Sequence, residues 1–371
     1  MRDDARAGNL LDRVDCERGE LEMEGVREEA LVAIEEVFGD RLKRRQPGSP
    51  GPDGALASVF PTSPDEVAIL ARLAGRYSLP LTALGAETAP APPAKEGRVL
   101  VRFDLMRGFS ITGPDEPRAE AEPGALWLEL DNDLRVHGRG LTVYPTSAPR
   151  ATVGGWLAQD GVGVGSFEYG RLRENVVSAE VVIPSGERRT IKGDELRSVV
   201  GPESEGGIVV RAALRTRRAE GDVTYALVFE TPEKLADAVA DVFRRGVPLW
   251  HLAFLSPEMA RIRGLGEEYL LFGAYPGERA GVVEEALGEV ASSANGRLLP
   301  PAEAYRAWGE RFFPIAPSHP TPVLADRTFV PVAEIEAFLK SRAAKAVQGT
   351  VARSGEVLML AFDPDEESWI R

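Results

Sequence analysis

The chain has 371 residues, more than one hydrophobic core usually organises, and with 43% hydrophobic and 27% charged residues its composition is that of an ordinary globular protein. Forty-four basic against fifty-eight acidic side chains leave a net charge of −14, which repels nucleic acid and anionic lipid, so neither is expected as a partner. One cysteine, Cys16, excludes an intrachain disulfide and any cysteine-built zinc or iron–sulfur site. Three scattered histidines, His137, His251 and His319, have no HxH or HExxH spacing, so no metal site is expected.

In chain order, the opening residues Met1–Arg6 are charged with no apolar run behind them, which argues against a secretory leader. The richest apolar runs, Tyr269–Tyr275 and Val357–Phe362, are strand-sized, far short of the roughly 18 to 20 residues of a membrane span. A cytoplasmic protein is expected, peripheral at the inner membrane only through a partner. Residues 20–45 have helical spacing at Val26, Leu31, Ile34, Val37, Phe38 and Leu42 and end in the basic run Lys43–Arg45, favourable near a helix C-terminus. A breaker-rich link, Gln46–Gly54, follows. Ser63, Pro64 and Glu66 then form a helix start, with Ser63 as N-cap and Pro64 in the first turn, and the helix is predicted to about Tyr77.

Strands are predicted at Leu79–Leu84, Arg98–Leu105 and Ala119–Pro123, and a helix at Leu126–His137, where His137 complements the helix C-terminus. Val176–Ile183 reads as a strand closed by the turn Pro184–Glu187, with Thr190–Ile191 beginning its partner, and Ile208–Arg218 as another strand. Beyond Gly221 the pattern becomes regular: strand Val223–Glu230, helix Pro232–Arg245 capped by Thr231, strand Leu249–Leu255, strand Glu268–Tyr275, helix Gly281–Ala294, strand Gly296–Leu299. Two such units back to back predict a ferredoxin-like α+β layer. Three parts result: a helical segment and linker at 1–50, an α+β domain at 51–220, and an α+β cap or substrate domain at 221–371.

The stretch Pro145–Gly170 concentrates glycine and small hydroxyl residues in a way that a core does not need. Backbone that passes within contact of a bulky anionic ligand needs such residues, because glycine has no Cβ to collide and tolerates positive φ. Gly161-Val162-Gly163-Val164-Gly165 superficially matches a dinucleotide fingerprint, but Trp156–Asp160 before it is not a strand, which argues against NAD.

Seven motifs come in the order found in one flavoprotein superfamily: Pro61-x-Ser63-x-x-Glu66-Val67, Pro80-Leu81-Thr82 leading to Gly85-x-x-Thr88, Glu122-Pro123-Gly124, Thr152-Val153-Gly154-Gly155, Tyr169-Gly170, Glu180-Val181-Val182 and Ser204-Glu205-Gly206-Gly207-Ile208. The chain resembles the FAD-binding PCMH-type, or vanillyl-alcohol-oxidase, superfamily. It is similar to the branch holding the D-lactate dehydrogenase and glycolate oxidase flavin subunits. The resemblance implies an α+β fold in which a two-subdomain FAD-binding domain is followed by the cap, with noncovalent FAD extended in a cleft between the two subdomains and the cap over its isoalloxazine ring. It implies that Gly85, Ala86, Glu87 and Thr88 wrap the diphosphate. It further implies that Pro145, Thr146, Ser147, Thr152, Gly154, Gly155, Gly161, Gly165, Ser166, Tyr169 and Gly170 line the flavin, and that Glu205, Gly206, Gly207 and Ile208 close the other side. No histidine stands near Gly85, where some relatives attach flavin covalently.

The diphosphate loop departs from its relatives, which carry a run of glycines where this chain has Gly85-Ala86-Glu87-Thr88 and then Ala89-Pro90-Ala91-Pro92-Pro93. Alanine or glutamate at positive φ costs about 1 to 2 kcal/mol per position. A carboxylate about 5 Å from a diphosphate adds roughly 3 kcal/mol of repulsion at an effective dielectric of about 20. Two ways out remain open: Glu87 turns to solvent, or the proline-rich stretch reshapes the loop.

Three residues are candidates for catalysis. His251 lies on a strand of which alternate residues face the flavin, with a satisfied sheet histidine as the other reading. Arg311, in Trp308-Gly309-Glu310-Arg311-Phe312-Phe313-Pro314, resembles the arginine of a W-x-x-R-F motif in dehydrogenase relatives and is suited to a substrate carboxylate; a surface salt bridge is the other reading. Tyr305 is a proton-acceptor candidate. The expected reaction is hydride transfer from a small 2-hydroxy acid or alcohol to flavin N5, with electrons passing to an iron–sulfur or electron-transfer subunit. The alternative is a noncatalytic flavin-fold subunit with weakened or lost FAD binding.

Overall fold

A computed structural model describes residues 24–46, 54–88, 96–113, 117–202, 206–313 and 326–363. The features read at Met1–Arg6, Cys16, Ala89–Pro93, Glu205, Pro314 and His319 lie outside these residues. Helix α1 (residues 24–38) turns Ala30, Leu31, Ile34 and Phe38 inward. Gly39, at φ +53°, ends it, and β1 (Leu42–Arg44) follows. The single helix expected over 20–45 therefore stops early. Arg44, read as a C-terminal helix charge, is a strand residue that ion-pairs back to Glu28 at 2.6 Å and Glu35 at 2.8 Å.

β1 pairs antiparallel with β2 (Ala55–Val59), a strand the sequence reading missed. Helix α2 (Pro64–Arg76) starts as its residues require: the Ser63 hydroxyl accepts the Glu66 N–H at 3.3 Å, Pro64 fills the first turn, and Tyr77 is the C-cap. With β3 (Leu81–Leu84) and β4 (Arg98–Arg102), both parallel neighbours, β1 and β2 form a sheet of order β1-β2-β4-β3. Val67, Leu70, Val99 and Val101 form its core with α1.

The second layer contains β5 (Phe109–Thr112), β6 (Arg118–Ala121), α3 (Trp127–Val136), β7 (Arg139–Leu141), short helices α4 (Val153–Leu157) and α5 (Ser166–Tyr169), β8 (Val176–Val182), β9 (Arg188–Lys192) and β10 (Ile208–Arg218). Its antiparallel sheet runs β5-β6-β10-β8-β9, and β7 pairs the far end of β10. The chain between β7 and β8 lies on this layer, where Trp127 and Trp156 meet edge to face at 5.0 Å. His137 is the exposed C-cap of α3.

The third layer opens with β11 (Asp222–Phe229) and α6 (Pro232–Arg245), where the Thr231 hydroxyl accepts the Lys234 N–H at 3.4 Å and Gly246 ends the helix at φ +62°. β12 (His251–Leu255), α7 (Pro257–Ile262), β13 (Tyr269–Pro276), α8 (Ala280–Ser293), β14 (Arg297–Leu298) and α9 (Pro301–Gly309) follow, then β15 (Asp326–Pro331), α10 (Ile335–Ser341), β16 (Ala346–Val351) and β17 (Glu356–Phe362). The sheet order is β14-β11-β13-β12-β16-β17-β15, with every neighbouring pair antiparallel. Along β11, Tyr225, Leu227 and Phe229 face α6, α8 and α10, while Ala226 and Val228 face α7 and α9, the alternation of a strand covered on both sides. Val162 joins the second of these faces, so the segment read as a cradle packs directly into the core of this layer.

Candidate functional site

The loop after β3 meets the Thr152–Gly155 turn through glycine, and that turn meets Pro123 in the same way. A Cβ on Gly85 would lie 2.8 Å from Thr152 Oγ1 and 2.9 Å from Gly155 Cα, and one on Gly154 would lie 2.8 Å from Pro123 Cβ. The Thr152 hydroxyl accepts the Gly155 N–H at 3.2 Å, which fixes the turn opposite Gly85. Beside this contact is a cavity of about 300 Å³ lined by Gly85, Ala86, Thr152, Arg102, Arg107 and Arg150. Asp104 also lines it and pairs with Arg102 at 3.2 Å; arginines are the residues suited to phosphate oxygens.

Glu87 is the loop residue in the left-handed region, at φ +53°, and it does not line this cavity. The strain foreseen for the loop therefore falls on one position, Ala86 keeping an ordinary backbone. Thr88 is half-buried.

The segment Pro145–Gly170 uses its glycines differently. Cβ atoms on Gly161, Gly163 and Gly165 would lie 2.1 Å from Trp156 Nε1, 2.2 Å from the Tyr144 carbonyl oxygen and 2.6 Å from Trp250 Nε1. At Gly170, φ +76°, a Cβ would meet Glu174 Oε1 at 2.1 Å. Pro145, Thr146, Ser147 and Ser166 are buried, with Ser166 Oγ accepting the Gly163 N–H at 3.0 Å. Burial, and then the Glu168 carboxylate, raise the pKa of Tyr169. Gly206 donates to the Ser198 carbonyl at 2.8 Å, Gly207 stands against β8, and Ile208 begins β10, so these three residues lie apart from the loop cavity.

What covers the segment is the third layer. Trp250 Nε1–H donates to the Thr142 carbonyl at 3.0 Å, Gly165 N–H to His251 Nδ1 at 3.4 Å, Arg353 N–H to the Ser166 carbonyl at 2.9 Å, and Phe313 N–H to the Thr146 carbonyl at 3.2 Å. Trp250 is fully buried, with the Arg217 guanidinium 3.5 Å above its ring and Trp308 at 5.6 Å. Arg311 is held between Trp308 at 4.4 Å and Phe312 at 4.2 Å, and its Nε–H donates to the Tyr144 hydroxyl at 3.0 Å.

His251 and Arg311 thus belong to one cluster, the ring of His251 standing 5.7 Å from that of Trp308. Accepting at Nδ1 places the His251 proton on Nε2, a buried atom without a partner among the described residues. Burial, and then the charge of Arg311, hold this imidazole neutral, with its pKa lowered to about 3. Burial raises the Tyr144 hydroxyl as well. Tyr305 is 71% exposed and makes none of these contacts. Sequence reasoning missed Tyr144, Trp250 and Arg217; the available signal was Trp250 directly before His251 in an apolar strand.

The residues present fit the diphosphate of an extended flavin nucleotide, for which the loop cavity offers arginines and close backbone.

Residues 55–192 match the family model described as an FAD binding domain. The chain is 27% identical over 262 residues to the mitochondrial D-lactate dehydrogenase [cytochrome] of Arabidopsis thaliana, covering 64% of this chain and 45% of that protein. It is 27% identical over 226 residues to the D-2-hydroxyglutarate dehydrogenase of Stutzerimonas stutzeri, covering 57% of this chain and 48% of that one. The chain spans less than half the length of these relatives. The solved structure of p-cresol methylhydroxylase with substrate bound superposes with a TM-score of 0.72 at 15% identity, over 92% of this chain and 84% of the other. Residues 55–192 thus match an FAD binding domain, and the chain has the α+β fold of the PCMH-type flavoproteins. In sequence it is similar to D-lactate and D-2-hydroxyglutarate dehydrogenases.

No helix among the described residues is long and apolar enough to cross a membrane. Among the same residues no group of three or more His, Cys, Asp or Glu could hold a metal ion.

Proposed function

We propose that the chain is the FAD-domain subunit of an oxidoreductase acting on a small 2-hydroxy acid, and that it holds FAD noncovalently by the diphosphate. The observation that carries this reading is the arginine-lined cavity where the loop after Leu84 meets Thr152 and Gly155. The names of the relatives, D-lactate and D-2-hydroxyglutarate dehydrogenases, supply the substrate class. In this reading residues 51–220 form the nucleotide-binding domain and 221–371 the cap, behind the N-terminal segment 1–50. Electrons leave through an iron–sulfur or electron-transfer partner, which also brings the otherwise cytoplasmic protein to the inner membrane.

FAD supplies hydride-accepting chemistry to such a complex. In this reading Arg311 exchanges the Tyr144 hydroxyl for a substrate carboxylate, with the neutral imidazole of His251 in the same cluster. A second reading, in which this subunit holds the nucleotide and leaves substrate oxidation to another chain, is favoured by the Arg311–Tyr144 hydrogen bond, which already occupies that cation. Purification with added FAD tests the first reading: a visible flavin band released on denaturation, bleached anaerobically by D-lactate, glycolate or D-2-hydroxyglutarate, is its expected result. A colourless protein whose melting FAD leaves unchanged refutes it, and a yellow protein that no hydroxy acid bleaches selects the second.

A further inference from the structure

Helix α9 ends at Gly309, and the chain from Glu310 to Phe313 belongs to no helix or strand, so its carbonyls need donors from elsewhere. Two side chains from distant parts of the third layer supply them. Gln348, on β16, is fully buried, and its Nε2–H donates to the Arg311 carbonyl at 2.8 Å. Arg263, just beyond α7, donates through Nη1 to the Glu310 carbonyl and through Nη2 to Gln348 Oε1 at 3.2 Å, which fixes the way the Gln348 amide points. The Arg263 side chain is only 5% exposed, with the Glu310 carboxylate 3.7 Å away. Burial, opposed by that carboxylate, lowers its pKa to about 10. In register, Gln348 stands between Leu255 and Leu360, an apolar setting in which an amide is costly unless both its ends are bonded. Both ends are bonded, and both bonds serve the segment that carries Arg311.

We propose that Gln348 and Arg263 are positioning residues for Arg311: by fixing the carbonyls on either side of its Cα, they set where its guanidinium stands, between Trp308 and Phe312 and against the Tyr144 hydroxyl. The inference rests on the reading that Arg311 receives a substrate carboxylate. Bidentate recognition of a carboxylate needs the guanidinium held to within about 0.5 Å, and a segment outside regular structure does not hold it unaided. Neither positioning residue touches the substrate; each acts through Arg311.

Gln348→Met keeps the volume and removes both hydrogen bonds. Gln348→Glu keeps the acceptor for Arg263 and removes only the donor to Arg311, so it carries the test should the first variant unfold. NMR spectra of the arginine-labelled full chain follow the Arg311 Nε–H, identified by its loss in Arg311→Met. The expected result is slow solvent exchange in the wild type, where this group donates to Tyr144, and exchange at least about tenfold faster in the Gln348 variants, with the Trp250 indole N–H still protected. Unchanged Arg311 exchange in a folded variant overturns the inference, whatever the activity. In hydroxy-acid oxidation, Gln348→Glu is expected to raise KM for D-lactate or D-2-hydroxyglutarate about tenfold with kcat within about threefold, and to raise it no further when Arg311→Met is already present. A further rise in the double variant shows a general structural role and overturns the inference. Faster Arg311 exchange with KM unchanged, or with no hydroxy acid oxidised, refutes the carboxylate reading of Arg311 while its positioning by Gln348 stands.

Discussion

Replacing Trp250 by alanine removes the side chain on which the cap and the nucleotide-binding layers meet. The indole is fully buried, donates to the Thr142 carbonyl at 3.0 Å, and lies 3.5 Å beneath the Arg217 guanidinium. Truncating a buried tryptophan costs about 3 to 5 kcal/mol through lost transfer energy and the cavity left behind. Losing the cation over the ring adds about 1 kcal/mol. Arg217 keeps its ion pair with Asp222 at 2.6 Å, so no buried charge is orphaned, and the expected total stays near 5 kcal/mol. Trp250→Phe keeps most of the ring and loses only the donor, for about 1 to 2 kcal/mol. Urea unfolding followed by near-ultraviolet circular dichroism should rank wild type above Trp250→Phe above Trp250→Ala. If Trp250→Ala falls within about 1 kcal/mol of wild type, the indole does not hold the layers together and the reasoning fails.

Gly85→Ala drives a methyl group to 2.8 Å from Thr152 Oγ1 and 2.9 Å from Gly155 Cα, so backbone must shift. A loss of about 1 to 3 kcal/mol in unfolding free energy is expected, with nucleotide affinity falling alongside; unchanged binding would separate the loop from the ligand. His251 is held neutral in the fold, its pKa lowered from 6.5 to about 3, while the unfolded chain takes up a proton near the ordinary value. Stability from this residue is therefore full above that value and declines as pH falls towards 3, and His251→Gln should lose less stability between about pH 7 and pH 5 than wild type does. Equal slopes would contradict it. The Arg41 guanidinium, 2.7 Å away, and then the donors of Thr62, hold the Glu66 carboxyl at about 2, below its ordinary 4.5. This contribution is present above 4.5 and lost as pH falls towards 2. Glu66→Gln should cost at most about 1 kcal/mol near neutrality, because the pair is partly exposed, and should flatten the acid limb of the stability curve; an unaltered limb would count against the pair.

Much of the fold was legible because helix ends are local chemistry. Ser63 and Thr231 sit directly before proline, each accepts the N–H three residues on, and both helices begin where those residues place them. The hairpin of β8 and β9 was likewise marked by its own turn. β1, β5 and β7 were not legible, since three or four residues become a strand only through the partner they pair with, and no local pattern names that partner. At the site, the glycine run at 161–165 correctly signalled a close approach. A missing Cβ is equally necessary for a ligand and for the same chain's own atoms, so the occupant was not written there; Trp156 and the carbonyls of Tyr144 and Thr142 are what approach most closely. His251 and Arg311 were chosen on separate grounds and share one cluster, whereas the Tyr144 and Trp250 that bind them read only as core aromatics.

Hydrogen exchange with and without saturating FAD tests the diphosphate reading most directly. Slower exchange of the backbone around residues 84–88 and 102–107 is the predicted result, since these stretches line the arginine cavity. Unchanged exchange there at a concentration where FAD binds would contradict it.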